Sequence, residues 1–146
     1  MAGLALNFIV FLHLLSSVVW IGGIIFILFV AIPASKEVMG TEAGKIMGVV
    51  SKRFTPFANY SILLLVITGV FLSFLHIGSY MSAPFYFKSA LAVTMIAIHF
   101  YRGLLLAPKI AKSEPAKKTS LQKLSVALVK LNLALGVAVL FLAKMV

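Results

Sequence analysis

Four long apolar runs, none of them containing a carboxylate, constrain this 146-residue chain more than any other feature. The first extends from about residue 4 to residue 32 and meets Pro33. The second covers about 56–77, with Gly78-Ser79 as its exit signal, and the third starts near Pro84 and ends around 106, before Pro108. The fourth covers about 121–145. A bilayer-spanning helix needs roughly 20 apolar residues, so four spans use roughly 80 and leave only short loops. Hydrophobic residues make up 62% of the chain and charged ones 11%, against about 45–50% and about 25% in soluble domains. A soluble globule of this size could not hide so much apolar surface, and that class is excluded. The expected fold is all-α, a transmembrane four-helix bundle forming one integral membrane domain over residues 1–146.

The first run has no basic segment before it, is too long for a signal-peptide core and has no small-x-small cleavage site before Pro33, so it is read as a retained helix.

The net charge of +10 suggests nucleic acid in a soluble protein. Here it is explained by loops. Lys36, Lys45, Lys52 and Arg53 fall between the first two runs, and Arg102, Lys109, Lys112, Lys117, Lys118 and Lys123 surround the connection between the last two. The link from His76 to Pro84 and the N-terminal segment have no basic residue. The positive-inside rule then places two basic loops in the cytoplasm and both termini outside. The expected location is the cytoplasmic (inner) membrane of a bacterium or archaeon, with the lipid bilayer as the principal partner and no role for nucleic acid. Residues 35–53 alternate apolar and charged side chains and are expected to form an amphipathic helix on the interface. No internal repeat stands out.

All three acids, Glu37, Glu42 and Glu114, lie in loops. That argues against carboxylate proton relays and paired-carboxylate catalysis. There is no cysteine, which excludes disulfides, thiolate metal sites and covalent haem attachment. The chemistry available inside the spans belongs to His13, His76, His99, Lys88, Arg102, Lys130, Trp20 and Asn132. Ionisable groups within a span are costly and point to function, although a histidine can also join helices as a hydrogen-bonded link.

Spacing groups these residues. His13 and Trp20 are seven apart and share a helix face, with Ser16 and Ser17 between them. Gly22-Gly23 then permits close approach of a neighbour, as ordinary small-residue packing or beside a planar ligand. Lys88 and His99 are eleven apart and align within about 20°, with Ala92 and Met95 on the same stripe and Arg102 just beyond. His13 and His99 could differ by roughly 10–20 Å in depth. Two arrangements therefore stay open. In one, His13 and His76 hold an outer haem whose propionate pairs with Lys88, while His99, Arg102 and Lys130 form an inner site. In the other, His13 and His99 hold one tilted cofactor. Haem b suits both, because bundles build cofactor sites between facing helices and cations match propionates. Copper is the alternative metal, with His13, His99, His76 and methionine as ligand types.

The stretch His13-Leu-Leu-Ser-Ser-Val-Val-Trp20-Ile-Gly22-Gly23 resembles the first helix of the CopD (copper resistance D) and HemJ families of bacterial membrane proteins. Ser51-Lys-Arg-Phe-Thr-Pro56 and Ile67-Thr-Gly69 look like their second helix, and the Lys88 to His99 stripe is similar to HemJ's third. The resemblance implies a small four-helix inner-membrane protein with His13, Lys88 and His99 at the family positions and Trp20 as a packing neighbour. HemJ proteins bind haem b and are associated with protoporphyrinogen oxidation, and CopD proteins with copper transport or handling. Two positions depart from the HemJ pattern. Ala34-Ser35 follow Pro33 where that family has an arginine, and Asn132 is followed by Leu133 rather than an acid.

The expected function is that of a small cytochrome b in electron transfer or haem-linked oxidation, a haem-dependent oxidoreductase if it is an enzyme. Its redox partner and any catalytic residues are not indicated. A CopD-type copper accessory protein, a HemJ-type protoporphyrinogen oxidase and a structural subunit with histidines as links are the alternatives. Small-residue faces leave room for a homodimer.

Overall fold

A computed structural model describes residues 2–75 and 82–145, and every element among them is helical. The chain divides into two compact units, Met1–Tyr80 and Met81–Val146.

The first unit opens with α1, Ala2–Phe26. A π-helical turn, Ile27–Ala31, leads directly into α2, Ile32–Met39. The expected stop at Pro33 is therefore corrected, since helix continues through it for another six residues. The reason is local. Proline has no N–H, and its ring clashes with the carbonyl four residues back. Widening the preceding turn, where the Ile32 N–H bonds the Ile27 carbonyl five residues back, takes those carbonyls out of register with the ring. The chain reverses at Gly40, whose φ of +50° is a conformation that side-chain-bearing residues rarely adopt. A 3₁₀ turn, Gly40–Glu42, then leads into α3, Ala43–Leu75, where an ion pair joins Glu42 to Lys45. Pro56, expected to open this helix, lies inside it. Residues 35–53 are thus split between α2 and the first turns of α3 rather than forming one interfacial helix. The Gly78-Ser79 exit and His76 lie outside the described residues.

The second unit repeats the scheme. Helix α4, Ala83–Phe100, starts behind Ser82 with Pro84 in its first turn, as expected. A π turn, Tyr101–Leu106, follows, with the Ala107 N–H on the Arg102 carbonyl. Then comes α5, Ala107–Lys112, with Pro108 in its first turn. Extended backbone at Ser113 and Glu114 breaks the helix, and α6 runs over Pro115–Ala143. Helix thus extends past the expected end near 106 and begins before the expected start near 121. Hydropathy marks where a helix enters hydrocarbon, whereas its ends are set by backbone hydrogen bonding.

Three helical stretches, Gly3–Leu75, Ala83–Lys112 and Pro115–Ala143, are long and apolar enough to cross a membrane. Large apolar side chains cover much of the outside: Phe8, Leu14, Val18, Phe57, Val93, Leu104 and Phe141 are exposed, while the buried residues combine Trp20, Ile62, Met95 and Leu106 with the polar Ser16, Ser61, Thr68 and Asn132. Helices that pack in lipid place small and polar residues between them and leave large apolar ones outside. Among the described residues the chain is all-helical, and its helices suit an integral membrane protein by length and composition.

Candidate functional site

In the first unit the least exposed face of α1 is the one predicted from spacing. Ser16, Trp20, Ile21 and Ile24 are buried, and His13 and Ser17 are half-buried. The Ser16 and Ser17 hydroxyls donate to the carbonyls of Leu12 and His13, at 2.8 and 2.9 Å. Gly23 answers the question left open about its role: a Cβ there would fall 1.9 Å from Cζ of Phe54, a residue of α3. Its small size admits an aromatic ring of this chain. Gly22 meets nothing within 4 Å.

His13 is held by α3. Its Nδ1 lies 2.7 Å from Oγ1 of Thr68, which donates its only proton to the Leu64 carbonyl. With that proton given to Leu64, Thr68 accepts from Nδ1–H, and this assignment of the tautomer leaves the lone pair of neutral His13 on Nε2. Gly69 completes the arrangement, because a Cβ there would stand 3.3 Å from Cε1 of the imidazole. A donor on one ring nitrogen fixed by a hydrogen-bonded partner is the support that metal-ligating histidines have. The donor chemistry of His13 therefore fits an iron ligand. Thr68 was missed as a site residue in the sequence reading. A lone threonine next to glycine in an apolar run was the signal, but its partner lies 55 residues away.

In the second unit the predicted stripe on α4 is also the less exposed face. Met95 is buried at 2% exposure, and Lys88, Ala92, His99 and Arg102 are half-buried. Lys88 Nζ stands 5.5 Å from the centre of the Phe85 ring, and the His99 ring meets Phe100 edge-on. Arg102 Nε and Nη2 both donate to Oγ of Ser125 on α6, at 3.3 and 3.2 Å. Lys130 is not brought to that cluster. It is exposed, on the side of α6 away from the buried Val129, Asn132 and Gly136, and this corrects the expected grouping of His99, Arg102 and Lys130. The 100° step of the helix separates adjacent residues, so Val129 and Lys130 cannot share a face. Asn132 was noted in the sequence without a partner. It is 2% exposed, and its Oδ1 has no hydrogen-bond partner.

Among the described residues no group of three or more His, Cys, Asp or Glu side chains gathers as a metal site. An open groove along Leu4, Ala5, Asn7 and Phe8 lies at the start of α1, over a turn from His13 and without a titratable group. The fold and site thus define a class, a helical protein suited to a membrane with a hydrogen-bonded histidine inside a candidate span. Comparison with family models, with curated proteins and with solved structures gave no match to this chain.

Proposed function

We propose that this chain is a four-helix membrane protein of the CopD and HemJ type, with both termini outside and two basic cytoplasmic loops, that binds haem b. The four spans of this reading are α1, α3, α4 and α6. His13 is the residue that would hold the haem iron, and the carrying observation is its hydrogen-bonded support by Thr68 and Leu64. In the second unit, His99 is the corresponding candidate ligand and Lys88 the candidate partner of a propionate. Bound haem supplies a one-electron couple, which suits electron transfer to a redox partner or haem-linked oxidation. The role of this chain's residues is to orient the imidazole, to exclude water with apolar helix faces and to balance propionate charge.

The absorption spectrum of the purified protein from haem-sufficient cells tests this reading. A Soret band that sharpens into α and β bands on reduction is expected, and a colourless protein overturns it. Thr68→Val, which keeps shape and removes the acceptor, is expected to weaken haem retention about 10–100-fold, as loss of such outer-shell partners does.

The same hydrogen bond favours one second reading, in which His13 only ties α1 to α3. His13→Ala would then lower stability and leave the spectrum unchanged. Metal analysis of the same sample reads the copper alternative.

A further inference from the structure

The basic end of the second unit contains a cation to which the proposed function assigns no role. Arg102 lies within a span candidate, Ala83–Lys112, and is half-buried. Among the described residues no carboxylate pairs with it: Glu37 and Glu42 belong to the first unit, in α2 and the 3₁₀ turn, and Glu114 is the residue before α6. Burying an ionised group without a counter-charge is costly, so such a position calls for an anion.

Depth indicates what kind of anion. From Ala83 to Arg102 the helical rise is about 30 Å, the thickness of a hydrocarbon core. From Ser125 to Ala143 it is about 27 Å. The Arg102–Ser125 pair therefore marks one edge of the apolar slab made by α4 and α6. Beyond that edge come α5 and the start of α6, with Lys109, Lys112, Lys117 and Lys118 all exposed.

We infer that Arg102 and Ser125 form a binding site for the phosphate of an anionic phospholipid. Both hydrogen bonds from the guanidinium to Ser125 use its Nε and Nη2 edge. A guanidinium has five N–H donors, so Nη1 and the second Nη2 hydrogen remain for phosphate oxygens. Ser125 accepts from Arg102 and has its own hydroxyl proton to donate to the same phosphate. The lysines add the field that draws anionic headgroups to a cytoplasmic leaflet. A phospholipid fits better than a free ion because the site lies at the boundary where acyl chains meet headgroups, beside exposed Leu104 and Leu105. The inference rests on the membrane reading of the chain and not on haem.

The test uses the full chain in lipid nanodiscs of equal parts phosphatidylcholine and phosphatidylglycerol, with the lipids retained on the protein read by native mass spectrometry. The retained lipid is expected to be enriched in phosphatidylglycerol about tenfold, the scale of a charge-assisted hydrogen bond. Arg102→Gln is expected to abolish the enrichment and Ser125→Ala to reduce it about threefold. The double variant Lys117→Gln, Lys118→Gln should keep a preference that falls more steeply with salt. Equal retention of both lipids by the parent protein overturns the proposal, as does full enrichment in Arg102→Gln. Displacement of phosphatidylglycerol by inorganic phosphate would show a free-anion site and also overturn it. If Arg102→Gln does not fold, Arg102→Lys and Ser125→Ala decide, because both keep a cation at this position. Incorporation into discs of phosphatidylcholine alone reads the membrane assignment separately.

Discussion

The two compact units share a backbone plan and differ in what they place inside it. Each has a long helix, a π turn, a short helix with proline in its first turn, a break and a second long helix. The spacing also agrees, because His13 precedes Pro33 by twenty residues and Lys88 precedes Pro108 by twenty. Yet the interior of the first unit is a neutral hydrogen-bonded chain from His13 through Thr68 to Leu64, whereas the second has Arg102 on Ser125 and a buried Asn132 oxygen without a partner. The comparison shows that the same proline placement and backbone scheme can hold different chemistry, with His13 and Lys88 at the same distance from their prolines. A repeat of this kind is invisible to side-chain similarity.

The largest expected effect is at the closest packing. Gly23→Ala in the first unit drives a Cβ into the Phe54 ring and should cost about 1–3 kcal/mol, read as thermal unfolding in detergent. Gly103→Ala in the second unit meets nothing within 4 Å and should change stability by no more than about 0.5 kcal/mol. Equal losses at both positions would erase this contrast.

The buried polar groups should respond in opposite directions. Thr68→Val leaves the His13 donor without its acceptor and should destabilise by about 1–2 kcal/mol. Asn132→Leu removes an oxygen that already lacks a partner, and is expected to be neutral or stabilising by up to about 1 kcal/mol. A large loss for Asn132→Leu would show that this amide makes an interaction in the membrane that the isolated chain does not reveal.

The smallest effect concerns the shared plan. Pro33→Ala and Pro108→Ala restore a backbone donor after each π turn, and each is expected to shift stability by only a few tenths of a kcal/mol. Amide exchange across residues 27–31 and 101–106 should slow in the respective variants as the turns tighten toward α-helix. Slowing in one unit alone would separate the causes of the two turns.

Much of the candidate site was legible because helical periodicity is a local property. The faces carrying His13 with Trp20, and Lys88 with Met95 and His99, follow from a 100° step whatever packs against them. The position of Lys130 was not legible in that way, since its phase matters only once Val129, Asn132 and Gly136 are known to be the inward residues of α6. Thr68 was hidden for a related reason: hydropathy treats it as one weakly polar residue, and only the packing of α1 along α3 makes it the acceptor for a distant histidine.

The amino-acid sequence by itself determined that the chain is helical and suited to lipid, because long runs without charges leave few other ways to satisfy backbone and side chains. It also determined which side chains share a helix face. Only the tertiary structure decided where helices end and which polar groups meet. Proline can be absorbed by a wide turn, as at Pro33 and Pro108, and a hydrogen bond across 55 residues depends on how two helices pack. The low content of charge thus defined the class of protein, and helix packing decided that His13 is braced on Thr68 and Arg102 on Ser125.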